Sequence, residues 1–179
     1  FAALWLLHCN EFPKEAFKVN IEGTFNVLEA CVNNNIQKLI YSSSASVYGD
    51  AEYEPMTEIH PLNQKNFYGA SKVCGEAMLR SYYYRYNLNY VGLRYMNVYG
   101  INQDTKGAYV SVIVNVLRDI QNNKPPTING NGLEAFDFIN VEDCAKANLL
   151  ALRSNVSNRN FNIGTGKKTT LKSLIELIQ

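Results

Sequence analysis

The sequence predicts an α/β protein built around a parallel sheet. Short β-type apolar runs alternate with longer segments of helical period, in the order strand, helix, strand, helix, strand. Polar loops separate them, and 46% hydrophobic with 18% charged residues suits a sizeable core rather than a disordered chain. The 179 residues give room for one domain, or for a domain with a smaller second region.

Taken in order, FAALWLL (1–7) reads as the end of a buried strand running into a loop. KEAFKVNIEGTFNVLEACVNN (14–34) follows as a helix, with Phe17, Ile21, Phe25, Leu28 and Val32 at helical intervals. QKLIYSS is a short buried strand. A long helix is expected from Tyr68 to about Tyr86, with Ala70, Val73, Ala77 and Leu79 near one face, and YVGLRY (90–95) is the next strand. After Gly100 the texture changes: YVSVIVNVLRDIQNN reads as a helix ended by Pro125-Pro126, because proline cannot continue the hydrogen-bond ladder. PTING and AFDFINV are short strand candidates about a Gly/Asn turn. EDCAKANLLALRS is a helix with acidic residues in its first turn, as the helix dipole favours. NFNIG is a last strand, and Thr170 stands ready to cap a final helix. The chain opens at Phe1 inside an apolar run and stops at Gln179 inside a helical pattern, so it reads as part of something longer.

Several classes of function are disfavoured at this level. A net charge of +1 argues against a nucleic-acid binder that relies on neutralising phosphates. No apolar run approaches the ~20 residues of a membrane helix, and no signal-peptide pattern opens the chain. Cys9, Cys31, Cys74 and Cys144 are widely spaced, with no C-x-x-C pair and no histidine at zinc spacing. They read as reduced structural thiols of a cytosolic protein, with no metal expected. Asn155-Val-Ser157 matches a glycosylation sequon by chance in an Asn-rich chain.

The chemistry concentrates in YSSSASVYGD (41–50) and YGASKVCGEA (68–77). Ligands of open parallel sheets gather beyond the carboxyl ends of the strands, which is where Ser42, Ser43, Ser44 and Ser46 fall. Tyr68 and Lys72 are i and i+4 on a helix, so their side chains share one face. An ammonium beside a phenol favours the phenolate and lowers its pKa from about 10, which makes a base useful near neutrality. A serine hydroxyl opposite would bind the same substrate oxygen. Alone, Tyr-x-x-x-Lys is surface decoration and a serine cluster is turn chemistry. Found together, in this order and flanked by β-type runs, they point to one reacting site.

These residues resemble the extended short-chain dehydrogenase/reductases, specifically the nucleotide-sugar epimerase/dehydratase family. The likeness runs through FAAL (1–4), VNIEGTFNVLEA (19–30), YSSSASVYG (41–49), PMTE (55–58), YGASK (68–72), LRYMNVYG (93–100), FDFINVEDCAKANLLAL (136–152) and FNIGTG (161–166). It implies a Rossmann-like doubly wound sheet, with residues 1–100 in the NAD-binding part. Residues 101–179 would be mainly substrate-binding, interleaved with returning Rossmann elements. It implies Tyr68 as acid/base, Lys72 as holder of the nicotinamide ribose and tuner of Tyr68, and Ser44 as partner of the sugar hydroxyl. Phe1, Ala2, Ala3, Trp5, Asn20, Ser42 and Tyr95 would line NAD, together with Tyr68 and Lys72. Asn97 would reach the substrate diphosphate, and Ser111 with Val112 the nucleoside. Read without the resemblance, Asn20 is a mid-helix polar residue and Asn97 a turn residue. The resemblance also implies a homodimer paired through helices 14–34 and 68–86.

Within the family, 4,6-dehydratases carry Asp and Glu just after the Ser/Thr, where this chain has Ala45 and Ser46. Neither can do carboxylate work, so the loop favours epimerisation of a UDP-hexose or related sugar through a 4-keto intermediate. A dehydratase or reductase is the alternative, and a non-catalytic NAD-binding sensor or scaffold a lower one. Three departures stand out. The Gly-rich phosphate loop is absent, and the one G-T-G (164–166) reads as a strand-to-helix turn. Phe136 replaces the family arginine before Asp137, which is not a conservative exchange. Trp5 stands where many epimerases have lysine or a small residue.

Overall fold

A computed structural model describes residues 4–105, 111–128 and 130–179. The chain divides into two compact units, one holding the residues up to Tyr95 and Ala145–Ile163, the other Met96–Cys144 and Gly164–Gln179. The division therefore falls after Tyr95, and one later segment returns to the first unit.

The first unit is a parallel three-stranded sheet, β1 (Lys38–Ser44), β2 (Asn89–Tyr95) and β6 (Arg159–Ile163), in the order β1-β2-β6. The central strand β2 is buried from Tyr90 to Arg94, as expected of a strand covered on both faces. Side chains alternate across the sheet. Tyr41, Ser43 and Arg94 face the long helix α4 (Phe67–Tyr86), while Lys38, Ser42, Ser44 and Tyr95 point the other way. On that second face, α6 (Val141–Arg153) is fixed by Lys38 Nζ, which donates to the carbonyls of Ala151 and Ser154 at 2.6 and 2.7 Å. The core under α4 is Leu28, Cys31, Leu79, Tyr82, Leu88 and Tyr90.

Local chemistry sets the helix ends. Asn66 caps α4 by accepting from Gly69 N at 2.8 Å, and Asn87 closes it in the left-handed conformation at φ 56°. Asn35 and Asn123 take the same left-handed backbone just after helices, so the Asn-rich composition is partly helix punctuation.

Three expectations are corrected. Leu6–Glu11 form a helix, α1, entered from an extended Trp5, where a strand running into a loop was expected; an apolar run this short fits either state by periodicity alone. Phe1, Ala2 and Ala3 lie outside the described residues. The helix expected over 14–34 is continuous but composite: α2 (Pro13–Ala16), a π-helical turn (Phe17–Glu22) and α3 (Gly23–Asn33). On α4 the buried side is Gly69, Ser71, Lys72, Gly75, Glu76, Leu79 and Tyr82, whereas Ala77 is exposed and Val73 half-buried. Hydrophobicity misplaces this face because its buried positions carry small, polar and charged groups.

In the second unit, β3 (Asn97–Tyr99) pairs in parallel with β5 (Phe138–Asn140), and β4 (Ala135–Phe136) pairs antiparallel with β7 (Thr169–Thr170). Helix α5 (Val112–Gln121) is capped by Ser111, and α7 (Leu171–Ile178) by Thr170, whose Oγ1 accepts from Ser173 N at 3.0 Å. PTING forms no strand among its described residues. AFDFINV is interrupted at Asp137, whose carboxylate accepts from Thr165 N, Thr165 Oγ1 and Gly166 N. The G-T-G is thus a turn pinned by Asp137.

Candidate active site

β1 ends in Ser42-Ser43-Ser44, and the pleat divides the three serines. Ser42 is exposed at the carboxyl end of the strand, Ser43 turns inward, and Ser44 starts the 3-10 turn Ala45–Val47. Ser44 Oγ accepts from Ser46 N and donates to Ser46 Oγ, both at 3.2 Å. The first turn of α4 lies against this loop. A Cβ on Gly69 would fall onto the Ser46 carbonyl, closer than real Cβ contacts come, so only glycine allows the approach. Gly69 is a residue that motif reading passes over as filler between Tyr68 and Lys72.

Lys72 is 7% exposed and forms no ion pair with a carboxylate among the described residues. Its Nζ donates to the Ser42 carbonyl at 2.9 Å and sits 5.5 Å from the Tyr68 ring centre and 5.4 Å from that of Tyr41. Burial lowers the Lys72 pKa, and the nearby Cys9 thiol works weakly the other way. The strand end, the ammonium and the half-buried Tyr68 are therefore brought together, as the i, i+4 spacing predicts.

Asn20 lies in the π-helical turn, a form that often marks functional sites. It is 4% exposed, and its amide is spent within the protein. Oδ1 accepts from Leu4 N at 2.8 Å, while Nδ2 faces Leu4 O at 3.1 Å, Ser71 Oγ at 3.2 Å and Cys9 Sγ at 3.4 Å. Ser71 in turn donates to the Tyr68 carbonyl at 2.7 Å. One side chain thus ties the segment at Leu4 to the Tyr68–Lys72 turn. Trp5, next in sequence, is 43% exposed.

Beneath the serines runs a buried network that sequence reading misses. Glu76 accepts from Ser43 Oγ at 2.6 Å, from Arg94 Nε and Nη2 at 2.9 and 2.7 Å, and from Asn160 Nδ2 at 2.9 Å. Arg94 also donates to Tyr48 OH at 2.8 Å and to the Glu58 carbonyl at 3.0 Å, and Tyr48 donates to Asn162 Oδ1 at 2.5 Å. The network joins all three strands to α4. Its signal in the sequence is spacing: Glu76 stands four residues after Lys72, on the same face. Tyr95, at the end of β2 opposite Ser44, accepts from Asn148 Nδ2 at 2.7 Å.

Asn97, Ser111 and Val112 belong to the second unit. Asn97 is exposed and donates its backbone N–H to the Asp137 carbonyl at 2.9 Å. Ser111 accepts from Val114 N as the α5 cap, and Val112 opens that helix half-buried. Phe136 is exposed on β4, against Phe138.

Comparison with known proteins adds the following. Residues 6–164 match the model of the NAD dependent epimerase/dehydratase family. A Methanocaldococcus jannaschii protein, provisionally named UDP-glucose 4-epimerase, is 42% identical over 162 residues, covering 90% of this chain and 52% of that protein. The structure of a UDP-N-acetylglucosamine 4-epimerase from Methanobrevibacter ruminantium M1, in complex with UDP-N-acetylmuramic acid, superposes with a TM-score of 0.95 at 36% identity. It is matched over 99% of this chain and 57% of its own. The Thermotoga maritima UDP-glucose 4-epimerase with UDP-glucose gives 0.94 at 32% identity, over 99% of this chain and 58% of that one. The chain spans about half the length of the curated relatives it matches.

Proposed function

The chain belongs to the NAD dependent epimerase/dehydratase family, and from that premise we propose that it carries the acid/base centre of an NAD-dependent nucleotide-sugar 4-epimerase. The observation that carries this reading is Lys72: a buried ammonium with no carboxylate partner among the described residues, held between the Ser42 carbonyl and the Tyr68 ring. Such an unpaired charge costs stability, and beside a phenol it favours the phenolate.

Tyr68 as phenolate would take the proton from the sugar 4-hydroxyl and later return it to the 4-keto oxygen. Ser44 would hydrogen-bond that oxygen in both directions, and Lys72 would hold the phenolate ready near neutral pH. Exposed Ser42 and half-buried Tyr95, at the carboxyl ends of adjacent parallel strands, and half-buried Tyr68 in the first turn of α4 fit a ribose and a flat ring. When bound, NAD supplies the hydride acceptor and donor. Ser42, Lys72, Tyr68 and Tyr95 would hold its nicotinamide half, with Phe1, Ala2, Ala3, Trp5 and Asn20 completing the lining. Asn97 would meet the substrate diphosphate, and Ser111 and Val112 the nucleoside, probing a sugar of the UDP-hexose class.

The 3-10 turn after Ser44 offers Ala45 and Ser46 and no carboxylate, which favours epimerisation over dehydration. We assign the chain to a homodimer in the cytosol. Half-exposed Phe17 and Phe25, and Tyr84 and Tyr86, on the helices at 14–34 and 68–86 support a partner surface, and four cysteines outside any disulfide suit a reducing compartment. No helix among the described residues is long and apolar enough to cross a membrane.

The test is to incubate the protein and its Tyr68→Phe variant with UDP-glucose, UDP-N-acetylglucosamine and their uronates. The expected result is 4-epimer formation without net NADH consumption, reduced about 10²–10⁴-fold in the variant. Loss of water from the sugar would transfer the assignment to a dehydratase. Wild-type turnover by Tyr68→Phe would remove Tyr68 from the mechanism.

A further inference from the structure

A buried ammonium is normally matched by a carboxylate. Lys72 has none among the described residues, so its charge must be held in another way. One group is the Ser42 carbonyl, at 2.9 Å. Two are aromatic faces: Tyr68, at 5.5 Å, and Tyr41, at 5.4 Å. Tyr68 is the group assigned to react, so its electron distribution changes as it gains and loses a proton. Tyr41 does not change in this way. Burial drives its own pKa well above the ordinary tyrosine value, so the ring stays a neutral phenol throughout the working range.

The fold places this ring between α4 and the π-helical turn. Gly75, one turn beyond Ser71 on α4, lies so close to the Tyr41 hydroxyl that a Cβ there would collide with it. Thr24 lies near the hydroxyl and gives its own proton to the Asn20 carbonyl at 2.6 Å, inside the π-helical turn. The ring that faces Lys72 therefore sits beside the same segment that clamps Leu4 and Ser71.

We propose that Tyr41 is a positioning residue that holds Lys72 as an ammonium beside Tyr68 through its ring face. The proposal rests on the assignment of Tyr68 and Lys72 made above, and it adds a residue to their setting. The groups facing Lys72 are Tyr41 and the Ser42 carbonyl from β1, Cys9 from α1 and Tyr68 from its own helix. Glu76, one turn along α4, is engaged by Arg94, Ser43 and Asn160.

The test reads Lys72 itself, so it does not depend on turnover. In a Tyr68→Phe background the second ring is kept while the coupled phenol is removed. The ammonium of Lys72 is then titrated by ¹⁵Nζ NMR, its resonance assigned by its loss in Lys72→Met. Adding Tyr41→Leu is expected to lower the Lys72 midpoint by about one pH unit, the size of a desolvated cation–π contact. Adding Tyr41→Phe, which keeps the ring, is expected to leave the midpoint where it was. An unchanged midpoint in Tyr41→Leu would overturn the proposal. Equal drops in Tyr41→Leu and Tyr41→Phe would overturn it too, by assigning the effect to the hydroxyl. Should Tyr41→Leu fail to fold, Tyr41→Met, nearer in volume and equally without a ring, carries the same expectation. Active Tyr68→Phe enzyme would sink the functional assignment yet leave this titration readable, so the two failures are distinguishable.

Discussion

Lys72 shows the tension between stability and chemistry at a single residue. Its folded pKa lies below its unfolded value because burial disfavours the charge. The unfolded chain therefore holds that proton more tightly, and stability contributed by this group rises with pH between the folded pKa and the unfolded value of about 10.4. At neutral pH the buried charge is a net cost. Lys72→Met is accordingly expected to raise the melting temperature by a few degrees at pH 7, at about 2–4 °C per kcal/mol for a chain of this size. Epimerisation is expected to be lost in the same variant. Thermal scans from pH 7 to 10.5 check the sign: the advantage of the variant should shrink as pH rises. A variant less stable than wild type at neutral pH would mean that the Ser42 carbonyl and the two rings more than offset the burial. Gly69 is the complementary case, where the constraint is space. Gly69→Ala must push the Ser46 carbonyl away from α4. It is expected to lower kcat at least tenfold while far-ultraviolet circular dichroism stays native, because it moves the serine loop and leaves the core alone.

At the level of elements, the existence of β1, β2 and β6 and the extent of α4 follow from period and punctuation that can be read directly. QKLIYSS, YVGLRY and NFNIG are bounded apolar runs, and Asn66 and Asn87 close α4 with side chains suited to each end. The Tyr68–Lys72 pair is legible for the same reason, since i, i+4 spacing survives any detail of packing. Three features are not legible. The π-helical turn at Phe17–Glu22 leaves no mark in an apolar period, because one extra residue per turn is absorbed within a continuous helix. The buried side of α4 reads as polar, because Ser71, Lys72 and Glu76 are satisfied by partners distant in sequence. The helix Leu6–Glu11 hides in an apolar run too short to show its period. The π-helical turn makes its own prediction. Asn20→Leu keeps the volume but leaves Leu4 N without its acceptor, while Leu4 O keeps the Cys9 thiol, and one such unsatisfied group costs about 1–3 kcal/mol when buried. Chemical denaturation should show a loss of about 1–2 kcal/mol, since Leu4 is half-buried. Faster amide exchange of Leu4 should accompany it, with the Leu28–Leu79 core still protected. Uniform loss of protection would mean that Asn20 supports the whole first unit rather than one segment.

At the scale of the molecule, the first unit is held by a polar network as much as by its apolar core, and that network carries tyrosines. Tyr48 bridges Arg94 and Asn162, and Tyr90 donates to Asn158 Oδ1 at 3.0 Å while packing in the core. Tyr41, Tyr48, Tyr82 and Tyr90 all have their pKa values raised, in each case chiefly by burial. For an acid whose folded pKa is raised, the folded chain keeps a proton that the unfolded chain gives up. The stability this contributes is complete below the unfolded value of about 10 and is lost as pH rises through the folded values. Lys72 works in the opposite direction over part of the same range, but it is one group against these four tyrosines. The first unit should therefore unfold in alkali above about pH 10, with tyrosinate forming because the fold opens. Absorbance at 295 nm and circular dichroism at 222 nm, followed together through a rising pH series, are expected to change in one step for the buried tyrosines, after a smooth early rise from the exposed ones. Tyr90→Phe removes one of the four groups and should move that step to higher pH, despite the lost hydrogen bond to Asn158. If the full tyrosinate signal developed while the 222 nm signal stayed native, these phenols would be ionising inside the folded unit, and burial would not be what protects them.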